Sequence, residues 1–298
     1  MFCRRDKSDD LYYAVESKNM QNGSRPGTAG TCGALRVPVR VCIVGRPQFD
    51  VEEFLAFLDE VRTNWRRSPG AAQAEELVEA AGRICYMSFG TGQSLRSNAE
   101  YIQNLIAMGH DSVLEHANWS FVISGITRSL SHQLVRHRVG FAFSQLSQQY
   151  HDESDAEFAM PSEIEDHPEA AAAWTEAVNT AKEAYSKILR VLEESKQVSG
   201  SAGNQGEIRR AIRSAARSVL PSCTQTTVFT TANARALRHF FAVRGGIPGD
   251  REARELAVEL FNAVTKEAPS LFFDFEVAKF SDGSRMVRKI ETGLKDDK

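Results

Sequence analysis

The sequence predicts an α+β protein rather than a doubly wound sheet. Segments with helical periodicity outnumber β-branched runs, the two kinds do not alternate regularly, and no internal repeat is present. At 298 residues, with 42% hydrophobic content, the chain has the material for a substantial core. Lys plus Arg at 36 against Asp plus Glu at 39 leaves a net charge of -3. No global field draws in nucleic acid or an anionic membrane, so any anion site has to be local.

Residues 1–36 are polar and rich in Gly, Ser and Thr, with too little apolar surface to offset their own ordering. They are expected to form a flexible tail ahead of a single domain spanning residues 37–298. The apolar, β-branched run VPVRVCIVG, residues 37–45, stops at Gly45 and Pro47 and reads as a strand; a helical pattern follows over residues 51–61. AQAEELVEAAGRICY, residues 72–86, places Leu77, Val78, Ala81 and Ile84 at helical spacing, and residues 97–108 form a third helix ended by Gly109. HANWSFVISGI, residues 116–126, alternates at Trp119, Phe121 and Ile123 as a half-buried strand does, after which Thr127 suits the N-cap of a helix running to Arg138.

Over residues 168–198, Trp174, Val178, Ala181, Tyr185, Ile188 and Leu192 share one stripe with charges opposite, the pattern of a long amphipathic helix. SGSAGNQG breaks the chain, and EIRRAIRSAARSVLP forms a helix stopped by Pro221. A strand near TQTTVFTT and helices over residues 233–243 and 251–267 complete the pass.

The cysteines number five, widely scattered, with no CxxC pair and no metal-ligand spacing, which fits free thiols in a reducing compartment. No run approaches the length of a membrane span, and the first residues lack a continuous apolar segment of the signal-peptide kind. A soluble, cytoplasmic protein without a membrane partner is the expectation.

Three arginine clusters could answer the need for a local anion site. Arg136, His137 and Arg138 stand side by side; on a helix, successive residues lie about 100° apart, so the three would fan out and could not share one ligand. Alone, the triplet also fits a solvated helix end whose cations complement the macrodipole. Arg209, Arg213 and Arg217 recur every fourth residue on one helical face, so the row is either well solvated or arranged around an anion. The stretch NARALRHFFAVRGG gathers Asn233, Arg235, Arg238, His239 and Arg244 beside Phe240 and Phe241. Competing signatures are weak: there is no P-loop, no HExxH among the seven histidines, and no nucleophile elbow around Ser144 or Ser147.

Four motifs in order, GHDSVLEH (residues 109–116), HQLVRHR (132–138), SQLSQQY (144–150) and NAR (233–235) with a later arginine, resemble those of the flavin-dependent thymidylate synthases. The resemblance runs from about residue 39 to residue 275 and includes the AAGRICY segment; the tail falls outside it. It implies an α+β fold with a mixed sheet and several long helices, assembled as a homotetramer with FAD and nucleotide bound where subunits meet. By matching position, Ser112, Arg136, His137, Arg138, Gln145, Asn233, Arg235 and His239 correspond to flavin-contacting residues, and His110 falls near the flavin ring. Gln133, Arg136, Gln145, Ser147, Gln148, Gln149 and Arg217 match nucleotide-contacting ones, and Arg244 matches the arginine that holds the uracil ring and favours ionisation of its nitrogen 3.

The implied reaction moves a one-carbon unit from methylenetetrahydrofolate to carbon 5 of dUMP or UMP, with FAD supplying the hydride and NADPH recharging it. Uracil carbon 5 is a poor nucleophile until negative charge gathers in the ring, and a guanidinium in a water-poor site stabilises that charge; Arg244 is the candidate. Neither Cys85 nor Cys223 has a flanking base that would make it the ring-attacking thiol of the other thymidylate synthase chemistry. Two departures stand out. Gln149 occupies a position where the family commonly has arginine, and the loop between RHR and Gln145 is one residue longer than in many members. An RNA-binding module built on the arginine and aromatic clusters is the alternative, and it predicts a basic domain with salt-steep binding.

Overall fold

Alternation along β2 (Asn118–Thr127) sets up the architecture. Trp119, Phe121 and Ile123 are fully buried on one face, while Asn118, Ser120, Val122 and Ser124 keep exposure on the other. β2 pairs with β1 (Arg40–Gly45) on one side and β4 (Gln225–Asn233) on the other; β3 (Phe141–Gln145) adds to β4, giving the order β1-β2-β4-β3. The computed structural model describes residues 38–198 and 204–291, so the tail predicted for residues 1–36 lies outside the described residues. The sheet is antiparallel at each of its pairings rather than mixed. Its strands bury one face and leave the other open, an arrangement that antiparallel sheets support and all-parallel sheets do not.

Helices α1 (Val51–Glu60), α2 (Gln73–Ile84) and α3 (Asn98–Ala107) separate β1 from β2. Ser97 and Glu100 form a reciprocal capping box at the start of α3, and Gly109, at φ +71°, ends the segment as the sequence predicts. Within the AAGRICY segment Arg83 is buried: its Nε donates to Glu79 at 2.7 Å and its guanidinium lies 4.2 Å from the Tyr101 ring centre, a structural use of charge.

α4 (Arg128–Leu134) precedes β3; α5 (Ser162–Glu165), α6 (Pro168–Val198) and α7 (Gln205–Ala216) lie between β3 and β4; α8 (Ala234–Arg244) and α9 (Arg251–Thr265) follow. The buried face of β2 joins Leu237, Phe240 and Phe241 of α8 and Leu256, Leu260 and Val264 of α9 in the main core. Each such large side chain contributes roughly 1.5–3 kcal/mol by leaving water. Tyr185 and Leu189 of α6 and Ile212 and Ala216 of α7 form a separate small core. None of the described helices is long and apolar enough to cross a membrane.

Three local outcomes differ from the sequence reading. Thr127 does cap α4, accepting from the Leu130 amide at 3.0 Å, but the helix stops at Leu134 rather than Arg138. The chain turns through Gly140, at φ +73°, where a side chain would also collide with Ala236 and Asn233 at 2.7 Å. Residues 141–145, left unassigned by pattern, form β3. The chain after α9 adds a hairpin of β5 (Phe275–Lys279) and β6 (Arg285–Lys289).

Candidate active site

The early end of α4 changes how the RHR triplet is presented. The three residues do not fan from a helix; they lie in the turn beyond its cap, with Arg136 and Arg138 exposed and His137 half-buried between them. Among the described residues neither Arg136 nor Arg138 has a side-chain hydrogen bond or ion pair. His137 turns inward, its ring edge-on to Phe240 at 5.1 Å and 6.2 Å from His239.

Arg244, the last residue of α8, meets this turn. Its Nε donates to His137 Nε2 at 3.2 Å, and its NH1 donates to the Gln133 Oε1 in the last turn of α4 at 3.0 Å. Accepting at Nε2 requires a neutral imidazole with its proton on Nδ1. Burial, then Arg244 and His239, hold the His137 pKa below the usual imidazole value, so the neutral form is favoured. The candidate uracil-binding arginine is thus aimed by two neutral acceptors and keeps its full charge for a ligand.

Four of the flavin-matched residues, Asn233, Arg235, Ser112 and His110, lie at the start of α8 or in the turn that packs on it, whereas Gln145 lies apart at the end of β3. Asn233 caps that helix, its Oδ1 accepting from the Ala236 amide at 2.8 Å. Arg235 pairs with Glu115 at 2.6 Å, both exposed, and Glu115 belongs to the 3-10 turn Asp111–His116, which packs on α8. Exposed Ser112 sits in the same turn and half-buried His110 immediately precedes it. Arg238, by contrast, is buried and paired with Asp274, so it is structural.

The nucleotide-matched residues divide. Gln133 and Arg136 lie with Arg244 or in the turn beside it, whereas Gln145 ends β3 and donates to Ser131 Oγ at 2.8 Å and Thr226 Oγ1 at 3.3 Å. Ser147 Oγ accepts from the Gln149 amide at 3.3 Å. Gln148 is buried beside Glu153, whose carboxyl burial pushes above the ordinary carboxylate range. Gln149 reaches Ser214 of α7 at 3.5 Å.

The evenly spaced arginine row of α7 does not act as one face. Arg209 is exposed, Arg213 NH1 donates to the Tyr150 carbonyl at 2.5 Å, and half-buried Arg217 lies past the end of α7 in the 3-10 turn Arg217–Val219. Arg210, passed over in the sequence, donates to the Tyr150 hydroxyl at 3.0 Å. Arg128 was also missed: it donates to the Leu146 carbonyl at 3.1 Å, inside the SQLSQQY motif. Of the candidate thiols, Cys85 is exposed, and burial pushes the Cys223 thiol pKa up, the opposite of an activated nucleophile.

The donor set fits anionic nucleotide ligands: two exposed guanidinia without side-chain partners among the described residues flank the turn, and a third arginine is held by neutral acceptors. Comparison with known proteins points the same way. A family described as "Thymidylate synthase complementing protein" matches residues 70–270. The flavin-dependent thymidylate synthase of Mycolicibacterium gilvum is 40% identical over 251 residues, covering 84% of this chain and 95% of its own. That of Mycobacterium leprae is 38% identical over 252 residues, with the same coverage. Among solved structures, the UMP/dUMP methylase PolB from Streptomyces cacaoi, crystallised with 5-Br dUMP, superposes with a TM-score of 0.55 at 21% identity, covering 79% of this chain and 93% of that one; at that identity the likeness speaks to the fold. With the match spanning most of the chain and nearly all of its relatives, the protein belongs to the flavin-dependent thymidylate synthases.

Proposed function

We propose that the chain methylates carbon 5 of uracil in dUMP and in UMP, with FAD as cofactor, methylenetetrahydrofolate as carbon donor and NADPH as reductant. The observation that carries the reading is Arg244 held by His137 and Gln133 next to a flavin-matched surface. Bound FAD supplies the hydride that turns the transferred carbon into a methyl group. Arg136, His137, Arg138, Asn233, Arg235 and His239, with Ser112 and His110 nearby, are the residues that would hold it. Arg244 draws negative charge onto the uracil carbonyl and nitrogen 3, which makes carbon 5 nucleophilic. Because its two acceptors are neutral, none of its positive charge is cancelled before the substrate arrives.

Gln145, Ser147, Gln149 and Arg217 form the sugar and phosphate side. Acceptance of UMP is inferred from this chain's own departures. Gln149 removes a cation, and the lengthened loop through Val139 and Gly140 relaxes the wall beside the sugar, where Gln148 or Gln149 could meet a ribose hydroxyl. Residues 37–298 act as one catalytic domain in a cytoplasmic homotetramer, whose subunits supply opposing walls to sites that one chain presents only in part.

The test is methylation of both nucleotides by the purified holoenzyme with NADPH and methylenetetrahydrofolate. Yellow protein that methylates dUMP and UMP with efficiencies within about a hundredfold is expected; a preference for dUMP beyond about a thousandfold removes the UMP assignment. Colourless protein that neither binds added FAD nor oxidises NADPH removes the reading altogether.

A further inference from the structure

We propose that a cavity at the start of α2 is a second anion site, separate from the candidate active site, and that it takes a compact oxyanion: a phosphate group, free or carried by a small metabolite. The cavity measures about 410 Å³ and is lined in part by Arg46, Gln73, Ala74, Trp119, Lys266 and Glu267. None of these residues is flavin- or nucleotide-matched. β1 and β2 stay paired as far as Gly45 with Ser120, so Trp119 stands where the chain leaves the sheet at Arg46. The first residues of α2 and the two residues after α9 complete the wall.

The open groups that meet there are donors. Trp119 is fully buried, its ring 6.2 Å from that of Phe272, and its Nε1 has no hydrogen-bond partner among the described residues. An indole N–H donates and cannot accept; leaving it buried without an acceptor is unfavourable, and a ligand oxygen in the cavity removes that cost. α2 starts from Ala72, whose side chain cannot cap it, and the amides of Gln73 and Ala74 have no acceptor among the described residues. Arg46 engages only its Nε, with both oxygens of Glu267 at 3.0 Å, and Lys266 has no hydrogen bond or ion pair among the described residues. The acids of the first turn of α2 are turned to other partners: Glu75 accepts from the Ser270 amide and Glu76 pairs with Arg67. Two cations against one acid therefore line the cavity. Lys266 also complements the dipole of α9, which it follows, but the buried indole has no such second use. A water would satisfy the indole alone, whereas an oxyanion accepts from the indole, the helix amides and both cations together.

The experiment is calorimetric titration of the full-length holoenzyme with inorganic phosphate, and separately with glycerol 3-phosphate, at constant ionic strength. Wild type, Trp119→Phe, Lys266→Gln and Arg217→Ala are compared. Trp119→Phe keeps a ring in the core and removes the N–H; it and Lys266→Gln should each weaken phosphate binding by about fivefold or more. Arg217→Ala, on the nucleotide side, should stay within about twofold of wild type. Tighter binding of glycerol 3-phosphate than of inorganic phosphate assigns the source to a phosphorylated metabolite, and equal or weaker binding assigns it to free phosphate. Circular dichroism reports whether each variant is folded, and if Trp119→Phe is not, the exposed Lys266→Gln decides alone. A wild type that binds neither probe, unchanged affinity in Lys266→Gln or in a folded Trp119→Phe, or loss of binding in Arg217→Ala overturns the assignment.

Discussion

The corner around Arg244 and the loop around Ser147 are both built from arginine and glutamine, yet they use them differently. At the corner, Arg244 is tied to Gln133 and His137, and the imidazole is packed against Phe240. The contacts that aim Arg244 are in place without a ligand. Around the loop, Arg128 has unused donors, Arg217 has no partner among the described residues, and Gln149 makes one long contact. On the proposed function, the difference separates two tasks. A group that stabilises charge developing during reaction gains from being fixed in advance, whereas groups that bind a charge already present can wait for it.

The largest expected effect breaks the corner. Arg244→Lys should lower methylation turnover by about a hundredfold or more, because a point charge cannot reproduce the fork held by Gln133 and His137. Oxidation of NADPH by the bound flavin should persist in the same preparation; near-normal methylation would remove Arg244 from its role. Next comes the loop: Arg217→Ala should raise the KM for dUMP by about tenfold with a smaller change in kcat, since phosphate binding is shared by ground and transition states. A fall in kcat alone would place Arg217 with the corner instead.

Acid gives a subtler contrast. Because the folded His137 pKa lies below the unfolded value, the unfolded chain takes up the proton first. The stability that neutral His137 contributes is complete above about pH 6.5 and declines as pH falls through the lower folded value. Thermal unfolding of wild type and His137→Gln should therefore diverge less at pH 5 than at pH 7.5; a constant gap would argue against a neutral imidazole. Smallest of all, Arg209→Ala should leave both binding and unfolding free energy unchanged within about 0.5 kcal/mol, as expected of an exposed arginine outside both regions.

How much of this could be read from the sequence depended on how local its cause was. The extent of α3 and its Gly109 stop, the Thr127 cap and the alternation of β2 are neighbour effects, and each was legible. β3 was not, because its register pairs Phe141 with Ala232 and its outward residues blend into the polar motif that follows. The end of α4 was hidden because no glycine intervenes until Gly140. The hairpin of β5 and β6 did carry a signal, the Asp282-Gly283 turn with Gly283 at φ +80°, between two short alternating runs. In the site, motif resemblance pointed to Gln133, His137 and Arg244, but their mutual hydrogen bonds depend on two helix ends that are distant in sequence. Arg128 left only one trace, a cation where a helix dipole disfavours it.

The separate core of α6 and α7 has a consequence for how the enzyme breathes. Arg213 and Arg217 ride on or just beyond a helix whose main apolar anchorage is Tyr185 and Leu189 of its neighbour, while Arg244 is rooted in the core shared by β2, α8 and α9. Small cooperative units open more readily than the global core. Amide hydrogens of α7 are therefore expected to exchange ahead of those of β2.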